Sequence, residues 1–188
     1  MIRQVKHFLP ISSLRTLYFA MIHPFITYGI LAWGHANPSL QKRTIILQKR
    51  AIRTINKASY NSHTEPLFKQ SNIMKVNDQY DYEVDLFMQG YITNNLPTSF
   101  QNTYMHTYEV HERHQTRQSN QLYMKRCDSR FAKSLPLYSF PVTWNKWADC
   151  ISYTGSRSKF KKQVKKYILS SYAEIVRCTN SHCIDCQR

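Results

Sequence analysis

Residues 38–57 read PSLQKRTIILQKRAIRTINK and carry six cationic side chains and no acidic one. Asn37 followed by Pro38 is typical of a helix start, with Asn as the cap and Pro in the first turn. At 100° per residue, the cations of this helix fall within an arc of about 120°. They are Lys42, Arg43, Lys49, Arg50, Arg53 and Lys57. Leu40, Leu47, Ala51 and Ile55 lie on the opposite side. We therefore predict an amphipathic helix that runs to about Lys57 and presents one basic face.

The basic face belongs to a wider charge asymmetry. The 188-residue chain has a net charge of +15, and its first acidic residue is Glu65, so nine Lys and Arg precede any acid. Without acids, the cations cannot form the usual i,i+4 ion pairs of a solvated helix. This pattern indicates a polyanionic partner, which is either nucleic acid or an acidic membrane surface, and it favours nucleic acid.

Composition excludes several other classes. Aromatic residues make up 13% of the chain, which is too many for a disordered basic tail. The four glycines form neither G-x-G-x-x-G nor G-x-x-x-x-G-K, so Rossmann and P-loop sites are excluded. No conventional signal peptide is present, so we expect the five cysteines to be reduced and the protein to be intracellular, cytoplasmic or nuclear, and not secreted.

The remaining periodicity predicts a mainly α protein. Ser12 and Ser13 cap a helix that Pro24 kinks and Gly34 ends; Thr64 opens a short helix, and Asn77 caps another that ends near Asn95. Residues 122–147 suit short strands or irregular packing, and Ser158 caps a final basic helix over 159–172. In that helix the i,i+4 spacing of Phe160, Val164, Ile168 and Tyr172 predicts one buried side, and the rest is covered by Lys161, Lys162, Lys165 and Lys166. The predicted segments are 1–97 helical, 98–121 a polar linker, 122–172 a region ending in the basic helix, and 173–188 a Cys-rich tail.

A membrane anchor is an alternative for the N-terminal region. Leu17–Trp33 is a mostly apolar run behind three basic residues and could be the span of a small membrane-anchored protein with a basic cytoplasmic helix. The run is interrupted by His23, Pro24, Thr27 and Gly29, and it is shorter than the ~20 residues that a span needs. Membrane insertion is therefore disfavoured.

Three groups of residues are candidates for catalysis or metal binding. Asp78, Asp81, Glu83 and Asp85 scatter around a helix, so we predict a solvated acidic face rather than a two-metal site. His106, His111 and His114 have no nucleophile at a recognisable spacing and are interpreted as polar loop residues. In the tail, Cys178, Cys183 and Cys186, with His182 as a weaker fourth ligand, indicate either a zinc site or an unstructured reduced segment.

Several short motifs occur along the chain in an order and spacing that are fairly specific when taken together. They are Leu17-Tyr18, Ile22-x-Pro24, Tyr28-Gly29, Trp33-Gly34, Leu47-Gln48-Lys49-Arg50-Ala51-Ile52-Arg53-Thr54-Ile55, Pro66-Leu67-Phe68, Asn95-Leu96-Pro97, Thr116-Arg117, Trp144-Asn145, Phe160-Lys161-Lys162 and the Cys-rich ending. Together they resemble the segment after the palm in non-LTR retrotransposon (LINE, jockey-like) reverse transcriptases. The resemblance covers roughly residues 14–186.

The resemblance implies a helical thumb-like bundle and a post-thumb extension of an RNA-directed DNA polymerase. In that family the thumb holds the template–primer duplex, so Lys49, Arg50 and Arg53 are implied to face its phosphates. The fingers, the palm with its catalytic aspartates and Mg²⁺ sites, and the endonuclease are absent from this sequence. We therefore expect a fragment that is inactive alone and whose missing partners are the palm and fingers of the parent enzyme, or a remnant that does not fold without them.

Overall fold

The computed structural model describes residues 2–35, 38–110, 119–146 and 156–172. These residues form eleven α-helices and one 3-10 helix, so the prediction of a mainly α protein is confirmed. The α-helices are α1 (Ile2–Val5), α2 (Ile11–Met21), α3 (His23–Thr27), α4 (Ile30–Trp33), α5 (Pro38–Ile55), α6 (Glu65–Ser71), α7 (Val76–Ile92), α8 (Thr107–Val110), α9 (Arg130–Ser134), α10 (Pro136–Asn145) and α11 (Arg157–Ser170). The 3-10 helix is Thr98–Phe100.

The chain divides into two compact units. The first contains residues 1–80 and 166–188, and the second contains residues 81–165. The first unit is therefore discontinuous in sequence. The segment boundaries that we predicted at residues 97, 121 and 172 do not coincide with the limits of these two units at residues 80 and 165. They remain predictions.

The predicted helix over residues 12–33 is three helices in the structure. Pro10 stands at the N-cap of α2, so Ser12 is not the cap. Pro24 lies in the first turn of α3 and starts a helix instead of kinking one, because proline lacks only an N–H that the first turn leaves unpaired anyway. Gly29, at φ +61°, then separates α3 from α4. Leu14 and Tyr18 are buried in α2, whereas Met21 is 39% exposed and Phe25 on α3 is 84% exposed, so the apolar spacing of this segment is only partly matched by burial.

These breaks also bear on the alternative of a membrane span over Leu17–Trp33. The segment is divided among α2, α3 and α4. In the described ranges, none of the helices has both the length and the apolar character needed to cross a bilayer.

Gln48 on α5 anchors the core of the first unit. Its side chain is 3% exposed. Its Nε2 donates to the Tyr18 hydroxyl at 3.0 Å and to the Met74 carbonyl at 2.9 Å, and its Oε1 accepts from the Val76 N–H at 3.1 Å. The last bond satisfies a backbone donor in the first turn of α7, which begins at Val76 and not after a cap at Asn77 as predicted. One buried amide thus joins α2, α5 and α7.

Replacing Gln48 with Leu should therefore lower the free energy of unfolding by about 2–4 kcal/mol, because buried backbone groups at Met74 and Val76 lose their partners while the volume is nearly kept. Urea denaturation followed by circular dichroism measures the change. Gln70→Leu is the matched control, since Gln70 is exposed on α6 and should change stability by less than about 0.5 kcal/mol. Equal stability of the two variants would contradict this role of Gln48.

The second unit is built around aromatic side chains. Phe87 on α7 makes edge-to-face contacts with Phe100 and with Phe140 on α10, each with ring centroids 5.3 Å apart. Trp144 on α10 lies against Phe160 on α11 at 6.1 Å. Aromatic contacts therefore join α10 to the second half of α7 and α11 to α10.

The strands predicted for residues 122–147 are wrong for the part that the structure describes. Residues 119–146 contain α9 and α10 and no strand, and their isolated antiparallel bridge joins Leu122 to His106. Pro136 fits the first turn of α10, and Phe140 and Trp144 are one turn apart on its buried side. The aromatic residues, which favour strands in general, here follow a helical period. Trp147 lies outside the described residues.

The last helix of the described residues, α11, starts earlier than the final helix that we predicted. α11 begins at Arg157, and the Ser156 hydroxyl accepts from the Lys159 N–H at 3.4 Å, so Ser156 takes the capping position predicted for Ser158. The predicted buried side is present in full. It consists of Phe160, Val164, Ile168 and Tyr172.

Candidate nucleic-acid interface

The predicted basic face of α5 is accessible, but the packed side is rotated from its predicted position. Among the side chains of this helix that the structure describes, which do not include Leu40, the buried ones are Gln48, Ile52 and Ile55. Leu47, which we predicted to point inward, is 57% exposed. The polar Gln48 takes part in the core, so the buried side is centred on it and not on the apolar residues alone. None of the six predicted cations is buried. Lys42, Arg43, Arg50 and Lys57 are exposed, and Lys49 and Arg53 are half-buried.

The end of this basic face is fixed by a turn. The Arg53 Nε donates to the Ser62 carbonyl at 2.9 Å. Within the turn, the Ser62 N–H donates to the Ser59 carbonyl at 3.1 Å, and the two serine hydroxyls are 2.7 Å apart. Lys57 adopts φ +52°, which ends the helical path after Ile55. The turn places Tyr60, which is 56% exposed, beside the basic face.

A groove of about 690 Å³ opens between α1 and α5. Four cations line it: Arg3 and Lys6 come from the N-terminal region, and Arg50 and Arg53 come from α5. Tyr60 and Leu47 are also in its wall, and no acidic residue is among the lining side chains. This site could not be predicted from local spacing, because α1 and α5 are far apart in the chain; its one signal in the sequence is the excess of cations in residues 1–64.

The lysines of α11 form a second basic surface. Lys161, Lys162 and Lys166 are exposed, whereas Lys165 is half-buried. Phe160 and Val164 on the same helix are buried, so the exposed lysines lie away from the packed side, as predicted. Three of the four lysines belong to the second unit, and Lys166 belongs to the first.

The acidic segment of α7 is not the uniformly solvated face that we predicted. Asp78 accepts a hydrogen bond from the Tyr172 hydroxyl, and Asp81 and Glu83 are half-buried. Asp85 is only 1% exposed, so for this residue the prediction is wrong. Neither oxygen of its carboxyl group has a hydrogen-bond partner among the described residues, nor has the buried Gln89 Oε1 one turn further on.

Burial has the largest effect on the pKa of Asp85. The pKa of the carboxyl group is raised from 3.8 to about 8, mainly by burial and then by the charge of Asp81, with Lys146 partly opposing the shift. The group is thus mostly protonated at neutral pH. A lone buried neutral acid is not a two-metal centre, because metal ions bind converging carboxylates.

The other candidate residues are only partly described. His106 lies 3.2 Å from the Asn120 carbonyl through Nδ1 and stacks on Tyr108, which is consistent with a polar structural residue. His111, His114 and the tail with Cys178, His182, Cys183 and Cys186 lie outside the described residues. The part of the chain that is described contains no cluster of three His, Cys, Asp or Glu side chains suited to a metal ion.

The arrangement can therefore bind anions along α5 and in the adjoining groove. Comparison of the chain with family models, with curated proteins and with solved structures finds no match.

Proposed function

We propose that the chain binds nucleic acid through the basic face of α5, as a thumb-like C-terminal fragment of a non-LTR retrotransposon reverse transcriptase. The fragment grips the phosphates of a template–primer duplex and leaves polymerisation, with its Mg²⁺ ions, to the absent palm. In this proposal the lysines of α11 add phosphate contacts, and the Cys-rich tail is a candidate zinc ligand set.

One observation carries the proposal. The cations of α5 all lie off the buried side of the helix, in a region of sequence that contains no acid before Glu65. Cations that lack nearby acids release counterions from nucleic acid when they bind phosphates, and this term supplies most sequence-independent affinity. Such contacts position a duplex without reading its bases, as the grip of a polymerase thumb requires.

Exposed aromatic residues support the assignment as a fragment of a larger protein. Phe25 on α3 is 84% exposed and the neighbouring Tyr28 is 86% exposed. Large exposed apolar groups close together are typical of surfaces that contact another protein. In our proposal the missing palm and fingers cover this surface.

The triple substitution Lys42/Arg43/Lys57→Gln tests the proposal. These three residues are exposed and lie outside the groove, so their replacement should leave the fold and the groove intact. Binding to an RNA/DNA hybrid is measured between about 50 and 200 mM salt. Loss of three phosphate contacts should lower the slope of log affinity against log salt by about 2–3.

The control is Lys125/Arg130/Lys133→Gln, which removes the same charge from exposed positions in the second unit. It should change the slope by less than about 1, because long-range charge effects are screened at these salt concentrations. If both triple variants lower affinity and slope equally, binding depends on net charge alone and the proposed interface is wrong.

A further inference from the structure

We infer that the groove between α1 and α5 is a site for an unpaired nucleotide, so that the protein binds single-stranded nucleic acid as well as duplex. This inference rests on the proposed function and specifies one of its ligands. The groove has a charged wall, formed by Arg3, Lys6, Arg50 and Arg53, and an aromatic wall, formed by Tyr60 with Leu47 beside it in the lining.

The charged wall comes from two separate parts of the chain. Arg3 and Lys6 contribute from α1 and the turn after it, and Arg50 and Arg53 contribute from α5. α1 packs directly against α5, and Ile2 is 8% exposed in that contact region. Four cations with no acid among the lining residues favour a strongly anionic ligand, and adjacent phosphates of one strand match that requirement.

The aromatic wall gives the site a surface that can bind a base as well as phosphates. Tyr60 is 56% exposed and Leu47 is 57% exposed, and both line the groove. Proteins that bind single strands combine a positive groove with aromatic side chains on which bases stack. A paired base cannot stack on Tyr60, because both of its faces are already covered in the duplex. The aromatic wall therefore favours an unpaired base.

The site is also preorganised. Tyr60 lies in the turn held by the Ser59–Ser62 bonds, and the Arg53 guanidinium is tied to the same turn through the Ser62 carbonyl. The stacking surface and one of the cations are thus held together before a ligand binds, which reduces the entropy lost on binding. The groove volume of about 690 Å³ lies within the range of small-ligand sites.

The experiment compares a labelled single strand with the hybrid duplex of the same sequence, using the whole chain. Tyr60→Leu should weaken single-strand binding by about 5- to 150-fold, which is the value of one stacked base, and leave hybrid binding and the salt slope unchanged. Tyr60→Phe should restore single-strand binding, because the ring is kept. Arg3/Lys6→Gln should lower the single-strand salt slope by about 1.4.

The outcomes separate this inference from the proposed function. Hybrid binding that still depends on Lys42, Arg43 and Lys57, with no effect of Tyr60→Leu on single strands, overturns the inference alone. Failure of the unsubstituted chain to bind either nucleic acid overturns both. Binding to anionic phosphatidylserine vesicles that Arg3/Lys6→Gln abolishes, without nucleic-acid binding, would assign the groove to lipid headgroups and also overturn both. Circular dichroism confirms the helical content of each variant.

Discussion

Replacing Asp85 with Asn should stabilise the protein by on the order of 5 kcal/mol at about pH 9 and by less than about 1 kcal/mol at about pH 4. The cause is the burial of an acid without a hydrogen-bond partner among the described residues. Ionisation of such a group costs free energy, whereas Asn has nearly the same shape and never ionises. Its amide can also donate to Gln89 Oε1, which is buried one turn away without a partner in the described structure.

The direction of the pH dependence follows from the two pKa values. The pKa of Asp85 is about 8 in the folded protein, against the ordinary value of 3.8 that holds in the unfolded chain. Between these values the folded state binds more protons, so the stability contributed by Asp85 falls as pH rises. The full contribution is present below about pH 4, and the loss is complete only above about pH 8.

Urea denaturation of both proteins at several pH values tests this expectation. The difference between them isolates Asp85 from the other titrating groups, and it should widen by about 1.4 kcal/mol per pH unit over this window. Asp128→Asn is the matched control, because the Asp128 side chain is 94% exposed and its pairing with Arg126 at 3.9 Å is weak. Parallel stability curves for the unsubstituted protein and Asp85→Asn would rule out a buried neutral acid.

Tyr172→Ala should cost about 3–5 kcal/mol of unfolding free energy, whereas Tyr172→Phe should cost about 1–3 kcal/mol. Tyr172 is 4% exposed. Its hydroxyl donates to Asp78 Oδ2 and accepts from the Lys75 N–H at 3.0 Å, and the Lys75 Nζ lies 4.7 Å from the centroid of the ring. Burial, and then the charge of Asp78, raise the pKa of Tyr172, so the phenol remains a donor throughout the neutral range.

The two substitutions separate the contribution of the ring from that of the hydroxyl. Phe keeps the packing and the cation contact but leaves the Lys75 N–H and the Asp78 carboxylate without the hydroxyl. Tyr167→Ala, on the same helix at a position that is 41% exposed, should cost less than about 1 kcal/mol. Thermal or urea unfolding measures all three variants. Equal losses for Tyr172→Phe and Tyr172→Ala would mean that the ring itself contributes little.

Periodicity predicted some of the helices well and others poorly. The basic helix α5 ends within two residues of its predicted end, and the buried side of α11 has the predicted spacing, whereas the helix predicted over residues 12–33 is three helices. The error over Pro136–Asn145 has a physical reason: proline disfavours the interior of a helix but suits its first turn, and a local pattern of prolines and aromatics fits either structure. Pro141 inside α10 shows that packing of Phe140 and Trp144 outweighs a lost backbone bond.

The candidate site could be predicted only in part. Five of the six predicted cations lie within α5 and follow from helical spacing, because neighbours along one helix are set by the sequence itself; Lys57 lies just after the helix. The roles of Gln48 and Asp85 could not be predicted, since each depends on which distant residues cover it. The groove with Arg3 and Tyr60 likewise depends on tertiary packing. Sequence spacing indicates which residues share a face, but not which faces meet.

The bonds of Tyr172 have a consequence for synthesis on the ribosome. They reach Lys69, Lys75 and Asp78 across 103, 97 and 94 positions of the chain. Roughly 5 to 20 seconds of translation separate residue 80 from residue 172 at ordinary elongation rates. During that interval, residues 1–80 have been synthesised but Tyr172, which bonds to them, has not. The whole of the second unit is synthesised in between. Chaperones should therefore bind nascent chains that stop between these points more than finished ones.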